Sequence, residues 1–531
     1  MSQTRVWLAV ATTLGCGGGW PEVIDVREMG GSFGSPEISR VRDLGNPDLP
    51  AHGVITGAEP DGVATPGELL LIEGSGFGRQ PTVMVGGRPA AVVARTSGGG
   101  IVVRTPTALA PGSAPVDVST AKGRGEASLP IRRYALIAVG EKNHLHVLEV
   151  GRDEAHPFGH PLEIANAQLV RFAFDGSAAY AVTQGTGSAR LYTIDMTAPE
   201  GPRVVATQDI PERRIVAAAT AEAAPILALV GESQLLLYDL GATKRPARWP
   251  PLALSEAVTK AQVAQVALDP EGKTLALLTA HGNQVRFYDV SNPRDKKLVT
   301  TVDVLPDQRT ALVRDMQFST DGETLWVVSG DNALSLGAGP QPTRLTAIRL
   351  LPPRDNQEGP RVVSVWRTMA VPGAAAPLGL AVSRGQPLAS GTTIRIPPEK
   401  AAVFITGVQS ALFQLAGVAL ATPAGVKKAD ALLRPIAQPG MIVRANINGG
   451  GGPLFATPQV LSSVDLTPDA QVLIATACRA VPGGDGQLDL SFGVVSAALW
   501  GKPSPKFIPL EKVSAEQFRP PFRLGQVRIQ P

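Results

Sequence analysis

The sequence predicts an all-β protein, in which a small β-sandwich precedes a seven-bladed β-propeller. The 531 residues include 57 glycines and 47 prolines, a composition that favours many turns and short strands over long helices. Residues 53–134 alternate short apolar runs with glycine-rich turns. The chain after them repeats a pattern of strand, turn and strand about every 50 residues, which is typical of propeller blades. A chain of this length is expected to hold more than one domain.

The charge and the cysteines narrow the classes of function. With 49 basic and 46 acidic residues and a net charge of +3, no basic block is present, so nucleic acid is not an expected partner. The two cysteines, Cys16 and Cys478, are too few for a disulfide framework or a cysteine-rich zinc site, and no haem-attachment motif occurs. We expect no cofactor.

Residues 1–16 have the layout of an export signal. Arg5 precedes an apolar stretch from Val6 to Leu14, and Gly15 and Cys16 follow, giving the charge, apolar core and small residue of a secretory signal. This end of the chain resembles the bacterial lipoprotein processing box, although Thr13 stands where that box has a leucine. The resemblance implies lipidation of Cys16; cleavage elsewhere and a retained cytoplasmic N-terminus are the alternatives.

Residues 17–52 show no sustained periodicity and are predicted to be a flexible tether. With the signal, this predicts an exported lipoprotein that is anchored to a membrane through its N-terminal lipid and faces the periplasm or the cell surface.

The first folded domain is predicted over residues 53–134. The runs "GELLLIEGSGFG", "TVMVGG", "IVVRTP" and "APVDVST" place strands and turns about ten residues apart, which is the spacing of a small sandwich. Gly74, Gly76 and Gly78 lie where the chain must bend, and Phe77 between them is a candidate core residue. In order and spacing these segments resemble the immunoglobulin-like IPT/TIG domain. That resemblance implies an immunoglobulin-like binding or spacer module without catalytic residues.

Residues 135–531 are predicted to form the propeller. Gly176, Gly272 and Gly322, which occupy the polar turns of three repeats, are 96 and 50 residues apart; the first interval holds two repeats. The first repeat begins at its second strand, and the chain ends in an unassigned strand around Val527 and Ile529. Because an open ring would leave a strand edge exposed, we expect this last strand to complete the first blade. Six or eight blades are alternatives.

The repeats resemble the YVTN or WD-type propeller repeats of bacterial exported proteins. Because their motif is loose, the resemblance implies an architecture and no particular activity.

Candidate sites are few. Four histidines in "HLHVLEVGRDEAHPFGH", His144, His146, His156 and His160, are weak candidates for a metal site; solvated side chains on the first blade are the alternative.

The turn carboxylates Asp175, Glu271, Asp321 and Asp469 recur once per repeat, so the ring should spread them apart, and we interpret them as turn residues. No nucleophile elbow, phosphate loop or zinc-protease motif occurs, and no catalytic residue is assigned. Cys478 lies in an apolar strand and is expected to be buried.

Two segments, 383–400 and 444–459, are interpreted as insertions into the sixth repeat, and either could carry a binding surface or have no role.

These observations favour a non-enzymatic cell-envelope binding or scaffold protein, in which the propeller is a platform for a protein or glycan and the sandwich is a spacer. A propeller enzyme of the lactonase or hydrolase type is the main alternative and should gather acids, histidines or a metal at the central channel. A purely structural spacer would have no distinct binding surface.

Overall fold

The structure of the chain is a computed structural model. It describes residues 22–26, 34–47, 53–58, 60–138, 144–164, 167–184, 187–241, 245–279, 284–304, 311–331, 343–351, 362–371, 374–383, 401–409, 440–446, 448, 450–482, 488–499, 503–514 and 526–531. This part of the chain is all-β apart from one short helix, α1 (Glu256–Ala261). No helix within it has the length and apolarity needed to cross a membrane.

The first domain is a sandwich of two four-stranded antiparallel sheets. Two short strands, one before the first strand of the sandwich and one after it, form a separate pair. The pair joins β1 (Glu22–Val26) to β3 (Gly53–Ala58). One sheet has the order β2-β4-β8-β7, with strands Glu37–Asp43, Leu69–Ser75, Ile101–Arg104 and Val92–Arg95. The other has the order β10-β9-β5-β6, with strands Gly123–Ile131, Gly112–Thr120, Thr82–Val85 and Arg88–Ala90.

The sandwich core is built from alternating residues of both sheets. Leu70, Ile72, Val83 and Val116 pack in one buried cluster with Phe77, as the spacing of the apolar residues predicted. Gly74 and Gly76 adopt φ values of 156° and 74° beside Phe77. A side chain at Gly74 would meet the Phe77 ring, so these glycines let the chain bend closely around the ring.

The predicted tether needs a correction. Residues 37–43, which we had placed in a flexible segment, form an edge strand whose Val41 pairs with Ile72. Its sequence, EISRVRD, has only two apolar residues, Ile38 and Val41, and both pack against the sandwich core. They are three residues apart because the pairing shifts register after Ile38. The sandwich therefore extends to the N-terminal side of the predicted boundary at residue 53.

Seven antiparallel sheets follow the sandwich in the described part of the chain. We call them blades 1 to 7 and give their strands from the inside of the ring outward. Blade 1 contains β40 (Gln526–Ile529), β11 (Tyr134–Ala138), β12 (His144–Val150), β13 (Ala155–Pro157) and β14 (Leu162–Glu163). Blade 2 contains β15 (Ala167–Phe172), β16 (Ala178–Thr183), β17 (Ala189–Asp195) and β18 (Arg203–Ile210). Blade 3 contains β19 (Ile215–Thr220), β20 (Ile226–Gly231), β21 (Gln234–Asp239), β22 (Ala247–Arg248) and β23 (Leu252–Ala253).

The remaining four blades have four strands each. Blade 4 contains β24 (Val263–Leu268), β25 (Thr274–Thr279), β26 (Gln284–Asp289) and β27 (Lys297–Asp303). Blade 5 contains β28 (Ala311–Phe318), β29 (Thr324–Asp331), β30 (Arg344–Leu351) and β31 (Val362–Ala370). Blade 6 contains β32 (Ala374–Val382), β33 (Val403–Gln409), β34 (Gly440–Ala445) and β35 (Gly451–Thr457), and blade 7 contains β36 (Val460–Leu466), β37 (Val472–Pro482), β38 (Leu488–Ala498) and β39 (Lys506–Ser514).

The last strand of the chain closes the ring. This strand, β40, pairs antiparallel with β11, with Val527 opposite Ile137 and Ile529 opposite Ala135. The pairing is expected from the unpaired strands at the two ends of the repeat pattern. Tyr134 begins this first strand, so it belongs to the propeller and not to the end of the sandwich.

Separate hydrophobic clusters fill the spaces between neighbouring blades. The cluster between blades 7 and 1 joins Val472 and Ile474 to Ile137, Val527 and Ile529. Other clusters join the successive pairs of blades around the ring. Each blade thus buries both of its faces, which is why the strands are apolar over most of their length.

Candidate binding site

The centre of the propeller contains a cavity of about 350 Å³, within the usual range for small-molecule sites. It lies where the innermost strands end and turn back into the second strands of their blades. Its wall includes Glu222, which follows the inner strand of blade 3, and these inner-strand residues with charged or amide side chains: Arg171, Gln265, Asp315, Gln317, Asp465 and Arg528. These residues come from the innermost strands of blades 2, 4, 5, 7 and 1.

Each of these polar side chains interrupts an apolar strand. Arg171 stands between buried Val170 and Phe172, and Asp465 stands between buried Val464 and Leu466. Successive side chains of a strand point to opposite faces. Val170 and Phe172 pack in the cluster between blades 1 and 2, and Val464 and Leu466 in the cluster between blades 6 and 7. The polar residues between them are part of the cavity wall.

Asp315 and Asp465 connect one blade to the next. Asp315 of blade 5 accepts hydrogen bonds from the Leu380 amide of blade 6 (3.0 Å), from its neighbour Met316 (2.9 Å) and from the Gln265 side chain of blade 4 (2.8 Å). Asp465 accepts bonds from the amides of Leu466 (2.9 Å) and Ile529 (2.8 Å). The two carboxylates thus satisfy backbone donors that an inner-strand edge would otherwise leave unpaired.

Gln526 and Gln317 do the same at other junctions. The Gln526 side-chain oxygen accepts hydrogen bonds from the Val170 amide (3.4 Å) and from Arg171 Nη1 (2.8 Å), which joins blade 1 to blade 2. The Gln317 oxygen accepts one from the Val382 amide (3.1 Å). Side-chain acceptors on the inner strands therefore hold the ring together from inside.

Arg171 and Arg528 lie on the adjacent inner strands of blades 2 and 1. Burial lowers the pKa of Arg171 well below its ordinary value, and the neighbouring Arg528 guanidinium lowers this pKa further, while Asp315 and Asp465 act in the opposite direction. Among the described residues, no carboxylate lies within ion-pair distance of either guanidinium. The channel therefore holds two cations without a direct counterion in this part of the chain.

A sandwich loop contributes to the wall of the cavity. Thr107 and Ala108, between β8 and β9, are part of its wall, and Ala108 has φ = 60°, which is unusual for a residue other than glycine. The Leu109 carbonyl accepts a hydrogen bond from buried Arg133, and the Pro111 carbonyl accepts one from Arg152 Nε (3.1 Å). The loop is thus held by two arginines of the linker and blade 1.

The sandwich also contacts the first turn of blade 2. Arg104 Nη1 lies 3.6 Å from Asp175 Oδ2, and a Cβ on Gly67 would meet the backbone of Asp175 and Ser177. The sandwich therefore packs against the propeller, a contact that the sequence did not predict.

The structure places the four candidate histidines away from the channel. His144 and His146 lie on β12, and His156 on β13, at the outer part of blade 1. Burial and, to a smaller degree, His144 lower the pKa of His146, and His156 Nε2 lies 3.1 Å from Glu154. In the described part of the chain, no three histidine, cysteine or acidic residues are grouped as metal ligands.

The turn carboxylates stabilise their own hairpins. Asp175 accepts hydrogen bonds from the Ser177 amide and hydroxyl, and Asp321 accepts one from the Glu323 amide. They stand on different blades, so the structure does not bring them together as a catalytic pair.

The remaining candidates from the sequence are the two cysteines and the two predicted insertions. Cys16 lies outside the described residues, as does most of segment 383–400. Cys478 is buried, and burial raises the pKa of its thiol to about 11. Segment 444–459 is not an insertion: it contains the end of β34, the following turn and β35. This glycine-rich stretch therefore belongs to a β-hairpin of blade 6, whereas its composition is typical of an inserted loop.

Sequence reasoning missed the channel residues. The available signal was a charged or amide residue within the apolar inner strand of several repeats, as in "LVRFAF", "VAQVAL" and "SSVDL". Each is unremarkable alone, and only the ring brings them together.

The fold and this cavity define an all-β protein with an immunoglobulin-like domain and a propeller around a polar channel. Residues 54–131 match the IPT/TIG domain family, which confirms the resemblance of the sandwich. No curated protein matches the chain significantly.

Solved structures with similar architecture include a putative 6-phosphogluconolactonase from Bacteroides fragilis NCTC 9343, with 11% identity, 75% of this chain and 98% of that chain covered, and a TM-score of 0.45. A periplasmic gluconolactonase from Pseudomonas aeruginosa has 12% identity, covering 75% and 99%, with a TM-score of 0.45. An auxiliary nutrient binding protein from Bacteroides thetaiotaomicron VPI-5482 has 11% identity, covering 84% and 96%, with a TM-score of 0.34. At these values, the likenesses carry no argument about activity.

Proposed function

We propose that this is a non-enzymatic binding protein of the bacterial cell envelope, whose propeller is the platform for a protein or glycan. Export would depend on the signal in residues 1–16, and lipid attached to Cys16 would anchor the chain to a membrane. The propeller repeats would be of the YVTN or WD type, which the Asp-Gly turns and the repeat length support.

The observation that carries this proposal is the use of the channel carboxylates. Each of Asp315 and Asp465 accepts a backbone hydrogen bond from a neighbouring blade on one oxygen and one from the next residue of its own strand on the other. These bonds orient both carboxylates toward the framework, whereas a general base or nucleophile is oriented toward the reacting atom. The channel is thus built to keep its shape, which favours binding over turnover.

The sandwich has a more definite role in this proposal than that of a spacer. Its loop at Thr107 and Ala108 contributes to the wall of the cavity, so the sandwich would take part in binding a ligand of the channel. The surface of the propeller away from the sandwich would remain available to a larger partner.

A hydrolase of the lactonase type remains the second candidate. The observation in its favour is that the cavity does gather three acids, Glu222, Asp315 and Asp465, with two arginines. We had expected this kind of grouping at the channel of an enzyme.

One assay separates catalysis from binding. Purified full-length protein and Asp465→Asn are incubated with glucono-1,5-lactone, and the release of acid is followed. The binding proposal predicts the spontaneous rate for both proteins. Acceleration by the parent that is lost in Asp465→Asn would establish the hydrolase instead.

A second assay tests the platform. Immobilised full-length protein and Val527→Asp, which should open the ring by placing a charge in the cluster between blades 7 and 1, are exposed to solubilised envelopes. Capture of a defined protein or glycan by the parent alone supports the proposal. Equal capture by both chains would exclude the propeller as the platform.

A further inference from the structure

We propose that Arg171 and Arg528 form a binding site for a small organic anion in the central cavity. The ligand would bear a carboxylate or phosphate group and hydroxyl groups. This inference rests on the proposed binding function and names the ligand class of the channel.

Hydrogen bonds to protein oxygens hold both guanidinium groups in place. Arg171 donates through Nη1 to the Val170 carbonyl (2.6 Å) and to the Gln526 side chain (2.8 Å). Arg528 donates through Nη1 to the Val527 carbonyl (2.9 Å). An arginine carries five N–H donors in a rigid fork, so each side chain keeps donors beyond those that hold it in place.

Arg171 and Arg528 are both part of the cavity wall. In the described part of the chain, neither side chain has a fully buried nitrogen that lacks a hydrogen-bond partner. Nitrogens of these side chains that bond to no protein group are therefore accessible to a small ligand. Arg171 as a residue is 6% exposed, which makes this a site within the protein and not a surface patch.

The two arginines favour an anion at this position, although Asp315 and Asp465 also favour the charged form of Arg171. Two cations on neighbouring strands repel each other, and burial strengthens the repulsion. The nearby carboxylates of Asp315 and Asp465 are turned to the backbone amides of Leu380 and Ile529 and do not lie within ion-pair distance of the guanidiniums. An oxyanion between the two forks would receive charge-assisted hydrogen bonds from both arginines.

The cavity also indicates the size and polarity of the ligand. A volume of about 350 Å³ accommodates a molecule of monosaccharide size but no polymer segment of several units. Gln317 lies on the wall, and its oxygen is bonded to the Val382 amide, so its amide nitrogen can donate to a ligand hydroxyl. A hydroxylated carboxylic acid or a sugar phosphate has both the required size and a hydroxyl group that can accept this hydrogen bond.

The test is calorimetric titration of the full-length protein with sodium D-gluconate and, separately, with sodium phosphate, in a buffer without other multivalent anions. The parent should bind at least one of them with a Kd below about 10 mM. Arg528→Gln should weaken that binding by roughly tenfold or more, because it removes one charged fork. Arg190→Gln is the matched control: it makes the same charge change at an exposed residue of β17 that pairs with Asp209, and it should alter Kd by no more than about twofold.

Arg528→Lys keeps the charge and serves if Arg528→Gln does not fold. It should bind more weakly than the parent, since a lysine has no planar fork. Preference for gluconate identifies a carboxylate site, and preference for phosphate identifies a phosphate site.

The site is overturned if the parent binds neither anion, or if Arg528→Gln or Arg528→Lys binds as tightly as the parent. The envelope-capture assay is independent of these titrations, so failure of the anion site leaves the platform to be judged separately.

Discussion

At the scale of single residues, the charged side chains of the channel have two different roles. Asp315 and Asp465 have the side chains of catalytic acids, but their hydrogen bonds place them in the framework that joins the blades. Arg171 and Arg528 keep donors for the cavity. Sequence reasoning could not make this distinction, because it depends on which amide of the next blade lies opposite each side chain.

The backbone of Ala108 gives the first prediction at this scale. Its φ of 60° costs an alanine about 1–2 kcal/mol, so Ala108→Gly should leave the free energy of unfolding almost unchanged. Ala114→Gly, a buried control on the extended strand β9, should lose about 1 kcal/mol or more. Urea unfolding of both variants measures the difference. Equal losses would show that the loop does not hold Ala108 in the left-handed region.

The second residue prediction concerns His146. Burial lowers the pKa of His146 in the folded protein, whereas the unfolded chain has the ordinary value of about 6.5. The unfolded state therefore takes up a proton first as the pH falls. The stability from neutral His146 is present above about pH 6.5 and is lost as the pH falls through the folded pKa.

Urea unfolding at pH 7.5 and 5.5 checks this. The parent should lose more free energy of unfolding between these values than His146→Gln does. His160→Gln, which removes an exposed histidine on the same blade, should behave as the parent. A pH response of His146→Gln equal to that of the parent would refute the assignment.

At the scale of elements, sequence patterns predicted the repeats well and their borders less well. The Asp-Gly turns at Gly176 and Gly322 were recognisable because they need positive φ, and they have φ values of 78° and 69°. The edge strand Glu37–Asp43 was missed because a register shift between Ile38 and Arg40 breaks the alternation expected of a strand. Residues 444–459 were misjudged because a glycine-rich hairpin turn has the composition of a loop.

The contact between sandwich and propeller is the element-scale feature that the sequence did not predict. Gly67 lies in it, with φ = 81°, and an added methyl group would stand 2.7 Å from the Ser177 amide. Gly62 has a similar φ of 84° and open space around it. Alanine would therefore have an unfavourable backbone conformation at both positions, but it would clash with neighbouring atoms only at position 67.

Gly67→Ala should consequently destabilise the protein by at least ~2 kcal/mol more than Gly62→Ala, and it should separate the unfolding of the sandwich from that of the propeller. Scanning calorimetry of the full-length variants measures both effects. If the two variants melt alike, the sandwich does not pack against blade 2 as described.

At the scale of the whole molecule, the fold could be predicted because a propeller repeats one simple unit. The apolar strands, the polar turns and the unpaired strands at the two ends of the repeat region were enough to indicate a closed ring. The cavity could not be predicted, since its wall takes residues from distant parts of the chain, from Arg171 to Arg528, and loop residues from another domain. Its position depends on ring closure by the last strand.

Ring closure is tested most directly by hydrogen–deuterium exchange of the full-length protein, read at the C-terminal peptide that contains residues 526–531. The Ile529 amide donates to Asp465 and the strand pairs with β11, so we predict that this peptide exchanges as slowly as the inner strand β15. Complete exchange of the C-terminal peptide within seconds, while β15 stays protected, would contradict the closed propeller and the cavity that depends on it.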